Sequence, residues 1–159
     1  MDPNKKPKQL DSPFVKAGMK YSSKAVAWVY RKTGGRIGGN WRGGAAFKKP
    51  VPTLLLEHTG RKSGKTFVSP LIYMMDGDNV IIVASMGGRA QNPQWYHNLR
   101  ANPDVYIEVG RERRPVHAIL ASPEERTRLW PKLVDTYADI DTYQSWTDRE
   151  IPVFILKPR

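Results

Sequence analysis

The sequence predicts a mainly β protein with added helices, an α+β fold in which six antiparallel strands form a closed or nearly closed small barrel. Its 159 residues suit one hydrophobic core and are too few for two ordinary domains joined by a linker. After Pro50 the apolar residues fall in short runs separated by tight turns, which is typical of antiparallel hairpins rather than βαβ units. Closure into a barrel is favoured because it leaves no exposed sheet edge.

The N-terminal part predicts a tail followed by a helix. Residues 1–12 contain three lysines and little apolar surface, so we expect a disordered basic tail and then a single domain at 13–159. From Pro13 to about Lys32 the apolar residues recur at helical spacing, which predicts an amphipathic helix. Two roles are open for this helix, packing on its own barrel or lying on a membrane surface. The spacing is carried by Phe14, Ala17, Tyr21, Ala25 and Trp28.

A glycine-rich segment comes next and predicts a loop. Three Gly-Gly pairs begin at Gly34, Gly38 and Gly43, and Arg36, Trp41 and Arg42 lie among them. The spacing matches neither a dinucleotide fingerprint nor a P-loop. The segment is either a flexible connector or a loop that covers a ligand.

The rest of the chain alternates strands with two helical interruptions. One helix follows Pro93, and another has Ser122 as its N-cap and Pro123 at its first position. Pro131 is expected to kink or divide that helix, and a further short helix is expected at 139–147. Short turns are predicted at 60–65, 76–79 and 110–113. The predicted strands are 53–59, 67–75, 80–84, 105–109, 115–121 and 151–156.

The composition limits the possible functions. Lys and Arg number 26 against 15 Asp and Glu, for a net charge of +11, so an anionic partner is expected. Most of the excess lies at 31–65, with nine basic side chains and one acidic, whereas 122–150 holds seven acids and four bases. This uneven distribution argues against a uniformly basic surface that binds nucleic acid. A non-enzymatic module that binds a membrane or nucleic acid remains an alternative.

Ordinary catalytic groups are scarce. The chain has no cysteine, which excludes thiolate chemistry and suits a cytoplasmic protein. His58, His97 and His117 are scattered without metal-ligand spacing, so we assign no metal. No apolar run is long enough to span a membrane. An enzyme of this composition would need a cofactor to supply its reactivity.

Two polar, glycine-bearing turns are the candidate site. The hairpin Thr59–Lys65 carries three cations, a serine and two glycines, a combination that can bind phosphate, although a solvated basic hairpin is the plainer interpretation. The turn at 84–88 is followed by a helix N-terminus near 93–95, which favours an anion or a polar ring edge. Both turns could face one pocket.

Four sequence motifs, in their order along the chain, resemble those of the deazaflavin (coenzyme F420)-dependent nitroreductase family. They are Thr-Gly-Arg-Lys-Ser-Gly at 59–64, Asn-Pro-Gln-Trp-Tyr-His-Asn-Leu at 92–99, Ala-Asn-Pro at 101–103 and Tyr-Gln-Ser-Trp-Thr-Asp-Arg at 143–149. The resemblance covers the chain from about Phe14 to its end. It implies a six-stranded antiparallel split β-barrel, related to FMN-binding and pyridoxamine-phosphate-oxidase-like proteins, that binds reduced F420 as a hydride donor.

The resemblance also implies roles for individual residues. Catalytic side chains facing the acceptor would be Ser85, Tyr137 and Tyr143. The phosphate end of F420 would be held by Arg61, Lys62 and Ser63. The ring and linker would be lined by Phe67, Val68, Ser69, Pro70, Leu71, Ile72, Val83, Ala84, Ser85 and Met86, and the groove would be closed by Gln94, Trp95, Tyr96, His97 and Asn98.

The expected acceptor is a small apolar molecule. Some family members carry tyrosine at the positions of Ile72 and Ile140 and lysine at that of Met86, so the resemblance implies a more apolar acceptor pocket here. A quinone or enone is then favoured over a nitroaromatic or nitroimidazole. The alternative ligands for such a barrel are FMN and haem-derived tetrapyrroles. Peripheral membrane contact through the N-terminal helix and a homodimer are also expectations.

Overall fold

The computed structural model describes residues 6, 8, 12–41 and 49–159. The predicted tail lies almost wholly outside these residues, as does Arg42. The helices are α1 (Pro13–Thr33), α2 (Gln94–Ala101), α3 (Pro123–Thr136) and α4 (Asp139–Ser145). The strands are β1 (Asn40–Trp41), β2 (Val51–Thr59), β3 (Thr66–Ile72), β4 (Met74–Asp76), β5 (Asn79–Val83), β6 (Asp104–Val109), β7 (Glu112–Leu120) and β8 (Val153–Pro158).

The strands pair as an antiparallel ring. β2 pairs with β6, β6 with β7, β7 with β8, β8 with β5 and β5 with β4. β3, which leads into β4, pairs with β2 along its length. Leu55, Leu56 and Glu57 pair with both β3 and β6, so these two strands lie on opposite edges of β2. The ring therefore closes, and the predicted α+β antiparallel barrel is confirmed.

The strand count differs from the prediction at two places. The predicted strand 67–75 is divided at Tyr73, whose N–H donates to the Pro52 carbonyl at 3.1 Å, so that β3 pairs with β2 and β4 pairs with β5. A two-residue strand, β1, also forms inside the segment predicted as a loop, because Trp41 pairs with Val51 and Asn40 with Pro52. Counting β3 and β4 as one bent strand restores the six strands of the ring.

Alternation along the strands divides the core into two clusters. One fills the barrel, and α2 closes it with Trp95 and Leu99. The other lies outside the barrel wall, where α3 and α4 cover β5 and β8. The barrel cluster includes Leu54, Leu56, Ile82, Ile107 and Phe154, and the outer cluster includes Ile81, Val83, Leu129, Leu133, Tyr137 and Ile140.

Helix α1 packs on the barrel through its C-terminal half. Tyr30 is 1% exposed, accepts a hydrogen bond from the Gly110 N–H at 2.8 Å and lies 3.1 Å from the Thr53 carbonyl. Ala27 is buried beside it. Ser12 caps the other end, where its hydroxyl accepts from the Val15 N–H. The structure thus confirms that α1 packs on its own barrel, although half of its length is not used for that purpose.

Pro131 was expected to kink or divide α3; the helix runs through it undivided, so a division at this residue is wrong. Ser122 caps it as predicted, with its hydroxyl accepting from the Glu125 N–H at 3.2 Å. Proline removes only one backbone donor and lies here on the exposed side of the helix, while Leu129 and Leu133 are buried on the other side. Burial of that apolar face holds the helix together across the missing hydrogen bond.

Candidate active site

The β2–β3 hairpin is a tight turn built on two glycines. Gly60 and Gly64 close it, because the Gly64 N–H donates to the Gly60 carbonyl and the Gly60 N–H to the Lys65 carbonyl, both at 2.8 Å. A Cβ on Gly60 would lie 2.7 Å from the Phe67 ring and from the Ser63 hydroxyl, so both side chains would have to move to make room for it. Gly64 has φ +69, the left-handed conformation that glycine adopts without strain. The turn predicted from the sequence is confirmed.

Arg61 fastens this hairpin to α2. Its guanidinium donates to the Gln94 side-chain oxygen at 3.0 Å and to that of Asn98 at 3.1 Å. Its backbone N–H donates to the same Asn98 oxygen at 3.1 Å. The hairpin and α2 therefore form one surface.

Positive charge accumulates on that surface. Burial, followed by the nearby charges of Arg61, Arg100 and Lys62, lowers the pKa of His97 below its ordinary value. Lys62 and Lys65 are exposed and make no ion pair within 12–41 and 49–159. An anion placed here would meet two cations that no carboxylate neutralises, together with a helix N-terminus. The surface thus fits a phosphate or carboxylate group.

His58 lies beneath the hairpin and extends this polar network into the barrel wall. The ring is 4% exposed, its Nδ1 lies 3.1 Å from the Asn98 amide nitrogen, and its Nε2 lies 3.0 Å from the Ser69 hydroxyl. Burial lowers the pKa of His58 to about 4 from its ordinary 6.5. The imidazole is therefore neutral across the physiological range.

This lowered pKa predicts a pH-dependent stability. Between pH 6.5 and about 4 the unfolded chain binds a proton at His58 that the folded chain does not, so acidification favours unfolding. We expect this histidine to lower the free energy of unfolding by at most about 3 kcal/mol across that window. Urea unfolding at both ends of the window checks it. His58→Gln should remove that part of the pH dependence, and an unchanged slope would contradict the assignment.

The turn after β5 is the second part of the site. Ser85 is followed by three residues in left-handed conformation, Met86 (φ 47), Gly87 (φ 65) and Gly88 (φ 76). A non-glycine residue at positive φ is strained, so Met86 must be held there by its surroundings. The Ser85 side chain caps nothing and makes no hydrogen bond in the part of the chain that the structure describes, which leaves its hydroxyl available to a ligand.

Helix α4 lies directly against this turn. A Cβ on Gly88 would lie 2.7 Å from the Tyr143 carbonyl oxygen, 3.1 Å from the Tyr143 Cα and 3.2 Å from the Trp146 Cβ. The phrase at 143–149 thus packs on the turn at 84–88, which brings Ser85 and Tyr143 into the same part of the molecule. Only a glycine permits this approach.

Arg149 holds the same turn from the other side. Its guanidinium donates to the carbonyls of Ala84 (3.1 Å), Ser85 (2.9 Å) and Arg89 (2.8 Å) and to the Asn92 side-chain oxygen (2.7 Å). These contacts bind the whole loop between β5 and α2. Arg149 lies in the motif at 143–149, but its role could not be predicted, because no local pattern reveals partners 57 to 65 positions away.

Tyr137 and Tyr143 lie together behind this turn. Their hydroxyls are 3.2 Å apart, and the Trp41 indole N–H donates to the Tyr137 hydroxyl at 3.2 Å. Burial raises the pKa of both phenols, so both stay protonated at neutral pH. Tyr137 is 4% exposed, whereas Tyr143 is half-buried. Their roles towards the acceptor remain predictions.

Other predicted site residues are less closely grouped. Along β3, Ser69 contacts His58, whereas Val68 packs on the opposite face against the cluster that contains Tyr30. Successive strand residues point to opposite faces, so the side chains of Phe67 through Ile72 cannot all line one groove. Trp95 is buried in the barrel core, and Val83 and Ala84 belong to the two core clusters.

The structure reduces the number of residues that can line the implied apolar acceptor pocket. Ile140 is 1% exposed and belongs to the outer core, so its side chain packs α4 onto the barrel rather than lining an open surface. Ile72 packs against that same cluster. Of the three residues that differ from other family members, Met86, on the strained turn, is the one whose position suits contact with a ligand.

An open hollow of about 550 Å³ lies elsewhere, between β4 and the C-terminal half of α3. None of the predicted site residues lines it, so we do not assign the site there. Among the residues that the structure describes, no group of three or more His, Asp or Glu side chains could hold a metal ion. The hollow is lined by Pro52, Tyr73, Met74, Met75, Pro131, Lys132, Asp135 and Thr136.

Comparison with protein families decides the class. The model of the F420H(2)-dependent quinone reductase family matches residues 22–158, which span both turns, α2 and α4. The chain belongs to this family. Membership confirms the resemblance to F420-dependent reductases, the split-barrel fold, the F420-dependent oxidoreductase class and reduced F420 as the cofactor.

Individual members of the family and solved structures agree. "Putative F420H(2)-dependent quinone reductase Rv3178" of Mycobacterium tuberculosis is 65% identical over 116 residues, which are 73% of this chain and 98% of that protein. The structure of an F420-H2 dependent reductase, FDR-A, is 39% identical and superposes with a TM-score of 0.62 over 67% of this chain and 94% of its own. A structure described as a domain-swapped dimer is 30% identical, with a TM-score of 0.64 over 92% of this chain and all of its own.

Proposed function

We propose that this family member binds reduced F420 across the two turns and reduces a quinone. The observation that carries the proposal is the basic hairpin, because Arg61 fixes it on α2 while Lys62 and Lys65 remain unneutralised among the described residues. These residues fit the anionic end of the cofactor. From the hairpin, β3 leads to the Ser69 hydroxyl, and the Ser85–Arg89 turn, which precedes α2 in the chain, offers the Ser85 hydroxyl to the rest of the ligand.

The chemistry needs little from the protein beyond positioning. When bound, reduced F420 supplies a hydride, and a quinone that takes up this hydride and one proton becomes the hydroquinone while oxidised F420 is released. Arg61 and Lys62 would hold the anionic end, and the packed turn at Gly88 would keep its surface fixed and exclude water. Ser85 and Tyr143 are protonated hydroxyls that would orient the acceptor or supply its proton.

Quinone is favoured over nitroaromatic and enone acceptors by the surface of the turn. Met86 presents an apolar side chain where some family members carry lysine, and its neighbour Gly87 adds no polar group. Quinones that dissolve in membranes suit such a surface.

Titration with oxidised F420, followed by intrinsic fluorescence, tests the cofactor assignment. We expect saturable binding that Lys62→Ala weakens about tenfold, the usual consequence of losing one charge-assisted contact. FMN and NADPH serve as competing ligands, and Lys157→Ala, an exposed lysine on β8, serves as the matched control that should bind normally. Tight FMN binding without F420 binding would leave the fold intact and reject the cofactor assignment.

We propose peripheral membrane contact through α1. Phe14, Tyr21 and Trp28 lie seven residues apart, hence on one face, and are 89%, 70% and 63% exposed. Lys24 and Lys32 flank this aromatic face and would attract anionic lipid, whereas Arg31 is paired with Glu108. No helix of the described residues is long and apolar enough to cross a membrane.

Pelleting with vesicles that contain anionic lipid tests this contact. Replacing the three exposed aromatics by serine should abolish pelleting, while the buried Tyr30 keeps α1 attached to the barrel. A matched control is Ile37→Ser, an exposed apolar residue beyond the helix. Unchanged pelleting of the triple variant would reject the proposal. Because a structural relative is a domain-swapped dimer, sedimentation of the same variants shows whether the aromatic face instead holds a second copy.

A further inference from the structure

The hydrogen bonds around His58 have a fixed direction. The side-chain oxygen of Asn98 must face Arg61, because it accepts from both the backbone N–H and the guanidinium of Arg61, and neither can accept. The amide nitrogen of Asn98 therefore faces His58 and donates to its Nδ1. An imidazole that accepts at Nδ1 while neutral carries its proton on Nε2. His58 then donates from Nε2 to the Ser69 hydroxyl oxygen.

This direction determines what Ser69 can do. Its hydroxyl oxygen accepts from His58, so its own hydrogen points away from the ring and is available to another acceptor. Within 12–41 and 49–159 no group accepts that hydrogen. Ser69 lies on β3 four residues beyond Lys65, about 13 Å along the strand from the cationic hairpin. A ligand that starts at the hairpin and follows β3 reaches this hydroxyl.

We propose that His58 is a positioning residue that makes Ser69 a hydrogen-bond donor to an oxygen of the bound cofactor. The inference rests on the proposed function. Arg61 orients Asn98, Asn98 sets the tautomer of His58, and His58 sets the direction of the Ser69 hydroxyl. Arg61, which would hold the anionic end of the ligand, is thereby coupled to a donor farther along β3. A histidine with a merely space-filling role would not require this order of donors and acceptors.

Two substitutions at His58 separate its hydrogen bond with Asn98 from its hydrogen bond with Ser69. Asparagine places an amide near the position of Nδ1, so His58→Asn keeps the contact with Asn98 and loses the donor to Ser69. Glutamine reaches the position of Nε2, so His58→Gln keeps a donor to Ser69 and loses the contact with Asn98. His117→Asn is the matched control, because that histidine lies on β7 and pairs with Asp104 at 2.7 Å, away from the hairpin.

The measurements are F420 affinity by fluorescence titration and thermal stability of each variant without ligand. We expect Ser69→Ala and His58→Asn each to weaken binding about tenfold, and their double variant to be no weaker than Ser69→Ala alone. We expect His58→Gln to bind more tightly than His58→Asn. Equal affinities of wild type and His58→Asn, or additive losses in the double variant, would overturn the proposal.

Nitrogen NMR of the His58 imidazole supplies a readout that requires no ligand. The proposed hydrogen bonds predict a neutral ring with its proton on Nε2, and a proton on Nδ1 would overturn the proposal even if a variant fails to fold. The outcomes also separate this inference from the proposed function. If the wild type and the variants bind F420 equally well, the role of His58 is rejected and the proposed function stands. If the wild type does not bind F420, both are rejected.

Discussion

Gly88→Ala is expected to displace α4 from the Ser85–Arg89 turn and to abolish most of the proposed quinone reductase activity. The new methyl group would lie 2.7 Å from the Tyr143 carbonyl oxygen, which belongs to backbone and cannot rotate away. Overpacking of this kind costs about 1–3 kcal/mol, in addition to about 1–2 kcal/mol for an alanine in left-handed conformation. The turn that carries Ser85 would move relative to Tyr143, and the site depends on both.

Gly77→Ala separates the two costs. Gly77 has φ 62, close to the φ 76 of Gly88, but a Cβ there would meet nothing within 4 Å. Both variants should therefore lose the conformational part of the stability, and only Gly88→Ala should lose the rest together with activity. Urea unfolding and quinone-dependent turnover measure the two effects. Equal losses in both variants would show that α4 adapts to the turn and does not hold it.

Arg149→Lys is the second substitution with a large expected effect. Lysine keeps the charge but cannot reach the three carbonyls and one amide oxygen that the guanidinium binds. We expect a loss of about 2–3 kcal/mol in the free energy of unfolding, because partly buried carbonyls lose their donors. Turnover should fall by more than the unfolded fraction of the protein explains, because the strained Met86 conformation depends on the hydrogen bonds of Arg149.

Arg128→Lys is the matched control for that substitution. Arg128 makes a bidentate ion pair with Asp76 on the exposed side of α3, where such pairs contribute about 0–1 kcal/mol. The control should keep both stability and turnover near wild type. If Arg149→Lys behaved like Arg128→Lys in thermal unfolding and in turnover, the turn would be stable without the hydrogen bonds of Arg149.

Features that depend on neighbouring residues could be predicted from the sequence. The Gly60–Lys65 turn, the Ser122 cap and the strand periods are local, because glycine, capping oxygens and alternation act within a few positions. The division of the third predicted helix at Pro131 was wrong because burial of Leu129 and Leu133 outweighs one missing backbone hydrogen bond. Local propensity does not include that contribution.

Features that depend on distant partners could not be predicted in this way. β1 exists only because Trp41 pairs with Val51, and nothing in a glycine-rich segment indicates that partner. The site shows the same limit. The sequence placed Arg61 and Asn98 in one groove through the resemblance, but it could not orient the Asn98 amide or the His58 ring, since those directions follow from contacts 37 and 40 positions apart.

The central claim, that this chain uses reduced F420 to reduce a quinone, is tested most directly by turnover. Purified protein is mixed with reduced F420 and a short-chain quinone without oxygen, and the return of the visible absorbance of oxidised F420 is followed. We expect quinone-dependent oxidation with one F420 oxidised for each quinone reduced. Lys62→Ala should slow this oxidation at low cofactor concentration, and Lys157→Ala should leave it unchanged. Oxidation of NADPH or reduced FMN in its place, or F420 binding without turnover of any quinone, would contradict it.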